Sequence, residues 1–324
     1  MRRQAPEFWA DGGPLSLLLA PLGWGWAAGS ALRGVFATSH KAAVPVICVG
    51  NLVIGGTGKT PVACSIGHRL PGAHFLSRGY GGWEKGPLLV NPQRHGAQRV
   101  GDEPLLLAEI APCWVAKDRA AGARMAVAHG ATCIVLDDGF QNPSLVKDVS
   151  LLVVDGHVGF GSERCIPAGP LREPVRRGLK RATAVVILGE DKHNIAGRVG
   201  KLPVLKATVE PEAEASALAG QQVVAFAGIG RPAKFFGTLE RLGAKVVEAY
   251  SFPDHHPYHP AEIGEMLAVA EKRGVALITT TKDIVRVPAH LREHIAVLQT
   301  TVTWEDEAAL MRVLAPARRG VVTT

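Results

Sequence analysis

The chain has 324 residues, 47% hydrophobic and 20% charged, a length that allows two domains with substantial cores. Its net charge of +7 suits an anionic partner: nucleotide phosphates, nucleic acid or an acidic membrane surface. Aromatic residues are only 6% and no basic stripe is interleaved with them, so nucleic acid is the weakest of the three. The five cysteines are scattered without a CxxC pair, which excludes a disulfide framework or zinc ribbon and fits a reducing compartment.

The N-terminal stretch 15–37 is largely apolar and carries no charge before Arg33; Arg2 and Arg3 precede it and Lys41 follows. About 20 apolar residues are long enough to cross a bilayer, but Pro14, Pro21 and repeated glycines weaken a spanning helix. Trp9, Trp24 and Trp26 suit a membrane–water interface. The pattern favours an interfacial or dipping anchor over a true span or an apolar helix packed on the body of the protein. It is not a cleaved signal peptide, because a strand and a phosphate loop follow almost at once.

From residue 44 strands and helices alternate. Apolar runs predict strands at 44–51, 74–79, 114–116, 133–136, 151–154 and 184–188, with helices at 61–70, 103–110 and 118–129. The acidic, alanine-rich stretch near 205–220 reads as a junction. Beyond it strands are expected at 223–227, 245–250, 276–280 and 296–298, with helices at 232–242, 261–272 and 307–314. The prediction is an α/β protein with a P-loop NTPase-type, mostly parallel sheet and helices on both faces. A smaller C-terminal α/β domain and an apolar N-terminal helix are added to it. The expected divisions are 1–43, 44–217 and 218–324.

Between the first strand and helix lies Val53-Ile54-Gly55-Gly56-Thr57-Gly58-Lys59-Thr60. Glycine lets backbone N–H groups approach phosphates, and the following helix turns its unpaired N–H groups toward the anion. Lys59 is expected at the β- and γ-phosphates of ATP and Thr60 on Mg2+. The first glycine of the usual pattern is replaced by Val53. The strand 133–136 ends in Asp137 and Asp138, where a parallel sheet sets carboxylates beside the phosphate loop, so one of them is expected to hold Mg2+.

Other candidates stay open on residue type alone. Asp102 is placed to cap a helix or to act as the base for a hydroxyl acceptor. Arg172, before Glu173, is placed either to stabilise a transferring phosphoryl group or to form a surface ion pair. Asp254-His255-His256-Pro257-Tyr258-His259-Pro260 is histidine-rich, but its prolines prevent the helical spacing that zinc motifs use. A histidine tuned by a carboxylate and a structural loop are equal readings of it.

The stretches GNLVIGGTGKTP (50–61), LSRGYGG (76–82), GDEP (101–104), LDDGFQ (136–141), AGPLREP (168–174), FPDHHPY (252–258) and TTKD (280–283) resemble, in order, those of the tetraacyldisaccharide 4'-kinases, the lipid A 4'-kinases of Gram-negative bacteria. That family also lacks the first loop glycine. The resemblance implies transfer of the ATP γ-phosphate to the 4'-hydroxyl of tetraacyldisaccharide 1-phosphate, giving lipid IVA at the cytoplasmic leaflet of the inner membrane. It implies Asp102 as the catalytic carboxylate assisted by His255, with Lys59, Thr60, Asp137 and Asp138 handling phosphates and Mg2+. It places Arg172 at the ATP phosphates and Glu173, Asp254 and Gln141 in supporting roles. Arg78 and Tyr80 match a loop linked to nucleotide or lipid contact. Thr281 departs from the glutamate that many relatives carry, which leaves the role of 280–283 open. No nucleic-acid or protein partner is expected. The alternatives are a membrane-bound P-loop ATPase switch and a kinase of a soluble small molecule.

Overall fold

The structure, a computed structural model, describes residues 6–318; Arg2 and Arg3 of the basic flank lie outside the described residues, as does the side chain of Arg33. In chain order the strands are β1 (Val46–Gly50), β2 (Ala73–Ser77), β3 (Leu88–Leu89), β4 (Cys113–Val115), β5 (Cys133–Asp137), β6 (Val149–Asp155) and β7 (Ala184–Leu188). They continue with β8 (Val204–Pro211), β9 (Gln222–Ala227), β10 (Lys245–Ser251), β11 (Ala276–Thr280), β12 (Ala296–Leu298) and β13 (Thr300–Trp304). The stretch near 205–220, expected as a junction, thus begins with a strand of the first sheet, whose half-exposed residues hide its periodicity.

Nine strands form one sheet in the order β13-β8-β7-β6-β1-β5-β2-β4-β3. The pairs from β8 through β4 are parallel, and only the edge strands β13 and β3 run antiparallel. The unbroken apolar runs of β1 and of β5 up to Asp137 have a direct explanation here, because both faces are covered. Ile47, Val49, Cys133 and Val135 face one core, and Val46, Cys48, Ile134 and Leu136 face the other. The sheet order reverses direction around β1, where β5 lies on one side and β6 on the other. An open α/β sheet binds ligands outside the carboxyl ends of its strands at such a point.

The second sheet, β10-β9-β11-β12, is wholly parallel. The last part of the chain does not stay with it, contrary to the expectation for 218–324. After β12 the chain crosses back, β13 pairs with β8, and the helix Glu307–Arg318 buries Leu310, Leu314 and Ala317 in the core of the first sheet. Trp304 Nε1 donates at 3.0 Å to Oγ of Ser65, on the helix that follows the phosphate loop, and Glu307 pairs with Arg69 at that helix's C-cap. A short edge strand and an amphipathic helix carry no label for the sheet they join; the unfilled edge at β8 and the open apolar face decide it.

The N-terminal stretch forms the helices Phe8–Asp11, Pro14–Leu18 and Ala20–Val35. Among the described residues no helix is long and apolar enough to cross a membrane. Polar atoms tie one side to the loop before the active site: Trp9 Nε1 donates to the Pro167 carbonyl, Ser16 Oγ to that of Ala168 and Trp26 Nε1 to that of Arg172. The other side is bare, with Leu18 at 75%, Trp24 at 72% and Phe36 at 81% exposure.

Candidate active site

The phosphate loop is held from below by side-chain and backbone bonds. Asn51 Nδ2 donates to the Val53 carbonyl at 2.6 Å and to Thr57 Oγ1 at 2.9 Å. Ile54 N–H bonds the Pro170 carbonyl, and Arg172 N–H bonds the Leu52 carbonyl at 2.7 Å. Gly58 has a φ of 78°, which favours glycine, and a Cβ there would stand 2.4 Å from Leu188 Cδ1, so that the leucine tip would have to move. The helix Lys59–His68 starts immediately after it, with Thr60 buried in its first turn.

Lys59 Nζ lies 3.9 Å from Asp138 Oδ1, and Arg172 Nη1 donates to the same oxygen at 2.8 Å. Burial pulls the Lys59 pKa down and Asp138 only partly restores it. Burial pushes the Asp138 carboxyl up, but Lys59, Arg172 and Arg119 outweigh it, so its pKa lies below the usual value. Asp137 behaves oppositely: burial and the neighbouring Asp138 charge push it up to about 7. Its Oδ1 is buried without a hydrogen-bond partner. An orphaned carboxylate oxygen beside a second carboxylate, with a threonine hydroxyl opening the loop's helix, is the donor set of a hard divalent cation such as Mg2+.

Gln141 and Glu173 support this corner. Gln141 Nε2 donates to the Asn51 carbonyl at 2.8 Å and to Glu173 Oε1 at 3.1 Å, while its Oε1 lies 3.5 Å from Arg172 Nη1. Glu173 is 1% exposed and is neutralised by Arg181, with Arg177 at 4.0 Å. Beside it, under the end of the helix Ala20–Val35, a cavity of about 530 Å³ is lined by Phe140, Lys147, Arg177 and Arg181.

The second corner joins distant parts of the chain. Asp102 does not cap its helix. The N-cap position belongs to Gly101, and no side-chain capping bond forms. Instead Asp102 Oδ2 lies 2.6 Å from His255 Nδ1. Gly101 has a φ of 92° and a Cβ there would come within 2.5 Å of the Tyr80 carbonyl, which presses the 77–82 loop against the start of the Asp102 helix. That helix packs on Lys59–His68, next to the phosphate loop. His255 has a φ of 61° and Asp138 one of 52°, left-handed backbone that a non-glycine residue holds only where its surroundings enforce it. The hydrogen bond that the His255 ring donates to Asp102 raises its pKa against burial, with help from Asp254 at 3.7 Å.

The other two histidines of the cluster serve the loop. His256 lies 3.0 Å from Glu262 and stacks on Phe252; His259 shares a reciprocal capping box with Glu262 at the head of the helix Pro260–Arg273. No group of three or more metal-binding side chains occurs among the described residues. Arg78 and Tyr80 are exposed on the 77–82 loop, Tyr80 at 61%.

Two residues of the site, Arg119 and Arg286, carried no sequence signal, and a third, Lys282, stood out only as part of the TTKD stretch. Arg119 is 2% exposed, its Nε has no partner, and burial and Arg78 pull its pKa to about 10. In sequence it is only the first residue of a helix capped by Asp118. Lys282 acts on Lys59 and Asp137, lowering the pKa of each. Arg286 Nε stands 3.5 Å from Asp102 Oδ2. Nothing local marks Arg286, and the task of Lys282 shows only in three dimensions, since both arrive from the second sheet.

A parallel sheet with a glycine-rich loop ahead of a helix, a lysine and threonine at that helix's start and two carboxylates at the end of the adjacent strand defines a P-loop nucleotide-binding protein. The family model described as tetraacyldisaccharide-1-P 4'-kinase matches residues 15–318, and the chain belongs to that kinase family. It is 53% identical to the tetraacyldisaccharide 4'-kinase of Rhodospirillum centenum, over 98% of this chain and 97% of the relative. The enzyme of the same name from Gluconobacter oxydans is 44% identical over 97% and 98% of the two chains. A crystal structure of LpxK from Aquifex aeolicus in complex with ATP superposes with a TM-score of 0.78 at 29% identity, covering 94% of this chain and 99% of that one.

Proposed function

We propose that this kinase transfers the γ-phosphate of ATP to the 4'-hydroxyl of tetraacyldisaccharide 1-phosphate, giving lipid IVA, at the cytoplasmic face of the inner membrane of a Gram-negative bacterium. The observation that carries the reading is the 2.6 Å contact between Asp102 and His255 next to the phosphate loop. A hydrolytic switch has only to position water, whereas a kinase needs a carboxylate to accept the proton of a hydroxyl acceptor.

In this reading the backbone of residues 53–58 and Lys59 hold the β- and γ-phosphates. Thr60, Asp137 and Asp138 hold Mg2+, which when bound neutralises charge on those phosphates. Asp102 accepts the proton of the 4'-hydroxyl as that oxygen bonds to the γ-phosphorus and the bond to the β-phosphate oxygen breaks. His255 holds Asp102 in place and spreads the charge, with Asp254 behind it. Arg172 moves from Asp138 to the transferring group, where its charge is needed most. Glu173 and Gln141 keep Arg172 directed, and Arg78 and Tyr80 flank the acceptor.

The bare apolar side of the N-terminal helices, with leucines and tryptophans outward, fits the headgroup and acyl boundary of a bilayer. The cationic cavity beneath it suits an anionic lipid acceptor. Incubation with γ-labelled ATP and tetraacyldisaccharide 1-phosphate is expected to label the lipid. Label found only as free phosphate overturns the reading in favour of an ATPase switch. Replacing Leu22 and Trp24 by serine is expected to leave the melting temperature unchanged and to weaken flotation with lipid vesicles; unchanged flotation removes the anchor.

A further inference from the structure

Lys282 apart, whose charge acts on Lys59 and Asp137, the segment 280–283 has no part in the phosphate chemistry above, yet it is densely hydrogen-bonded. Asp283 is fully buried. Its Oδ1 accepts from Gly228 N–H at 2.8 Å, Tyr258 hydroxyl at 2.7 Å and Arg286 Nη2 at 2.8 Å, and its Oδ2 accepts from the Thr280 hydroxyl at 2.6 Å. Arg286, with a side chain 4% exposed, uses the rest of its fork elsewhere. Nη1 donates to the carbonyls of Gly228 at 3.0 Å and His256 at 3.3 Å. Nε donates to the Lys282 carbonyl at 3.1 Å and faces Asp102 Oδ2 at 3.5 Å.

One guanidinium therefore touches the end of β9, the loop that carries His255 and, across the gap between the sheets, Asp102. Asp102 and His255 are 153 residues apart, and neither lies on an element that positions the other. His255 also keeps a left-handed backbone that its own residue type disfavours. The next residue, His256, is the one whose carbonyl Arg286 holds. A buried ion pair satisfied at every oxygen adds little net stability, but it specifies position. Only a planar fork reaches these acceptors together; an ammonium cannot.

We propose that Arg286, anchored by Asp283, is a positioning residue that holds the His255 loop and the Asp102 carboxylate in register across the two sheets. The proposal rests on the reading of Asp102 and His255 as the proton-accepting pair. It gives 280–283 a role that does not depend on position 281, where threonine stands in this chain: the work is done by Thr280, Asp283 and, beyond them, Arg286.

The test uses the full-length protein. R286M is expected to lower kcat by about 10²-fold, the scale of displacing a reacting group by about 1 Å, with the KM for ATP unchanged. R286K keeps the charge but not the fork, and its kcat is expected between the two. The titration of the His255 ring, followed by NMR, separates positioning from plain stabilisation. That ring faces Asp102 and Asp254, with Glu103 further off and Arg286 behind Asp102. Loss of the Arg286 charge alone raises the His255 pKa; loss of the Asp102 contact lowers it toward 6.5. The proposal expects it to fall. Wild-type kcat, or a His255 pKa at or above the wild-type value, overturns it. Should R286M not accumulate as folded protein, R286K decides by the same two readouts. D102N, measured alongside, separates the two readings. If D102N turns over normally, the base assignment fails and this proposal with it; if D102N is inactive while R286M is normal, only the role of Arg286 fails.

Discussion

The two halves of the site are built differently. The phosphate half is local: loop, lysine and threonine occupy eight consecutive residues, and the carboxylates end the neighbouring strand β5. The acceptor half is assembled from Asp102 on one sheet's helix and His255 on a loop of the other, with Arg286 between them. A group held by backbone geometry is fixed as soon as its loop folds. One held by a hydrogen bond across two sheets is only as well placed as the contact between them. In the proposed reading, binding a nucleotide and committing it to an acceptor are thus separable properties of this protein.

The largest expected effect tests that separation. Asp102→Ala should lower kcat by about 10²- to 10⁴-fold, the usual loss on removing a positioned base, while ATP affinity, measured by calorimetry, stays near wild type. A parallel fall in ATP affinity would show that the halves are not separable. Gly58→Ala should do the reverse, through the left-handed φ and the approach to Leu188. We expect a loss of about 1–3 kcal/mol in urea unfolding, typical of strain at such a position, and weaker ATP binding. Unchanged stability and affinity would mean that the loop tolerates a side chain.

A smaller effect follows from His255. Its folded pKa is raised above 6.5, chiefly by the Asp102 hydrogen bond. The stability it contributes is therefore complete below the unfolded value and is lost as pH rises through the folded one. Asp102→Asn should flatten this part of the unfolding free energy measured between about pH 6 and pH 9; a slope equal to wild type would place its origin elsewhere. The smallest effect belongs to Glu307→Ala. This ion pair with Arg69 is half exposed, and its loss should cost less than about 1 kcal/mol in the same unfolding assay. A larger cost would mean that the C-terminal helix, and not the loop alone, sets the phosphate half.

Much of the phosphate half was legible in sequence because its signals are short-range. Consecutive glycines before Lys59-Thr60, and an apolar run ending in Asp137-Asp138, fall where strand and helix periodicity change over. Asp102 was ambiguous because a carboxylate at a helix start looks the same whether it caps that helix or faces a partner. The three histidines of 255–259 were indistinguishable for a similar reason. Their separate tasks — dyad partner, loop stacking and helix capping — depend on what stands opposite each ring.

Most of the strands and helices, the burial of a parallel sheet on both faces and the phosphate loop were determined by the sequence itself, through periodicity and the conformational freedom of glycine; β8, inside the stretch that reads as a junction, and the edge strands β3 and β13 were not. Tertiary structure alone decided where residues 300–318 belong, since a short strand and an amphipathic helix take whatever edge and face are open. It alone brought Arg119, Lys282 and Arg286 to the site, because long-range contacts between charged groups leave no local pattern. It also decided that the N-terminal helices dock through tryptophan and serine hydrogen bonds on one side and stay bare on the other. An apolar run specifies how much surface must be covered, and the fold specifies which part of it the protein covers itself.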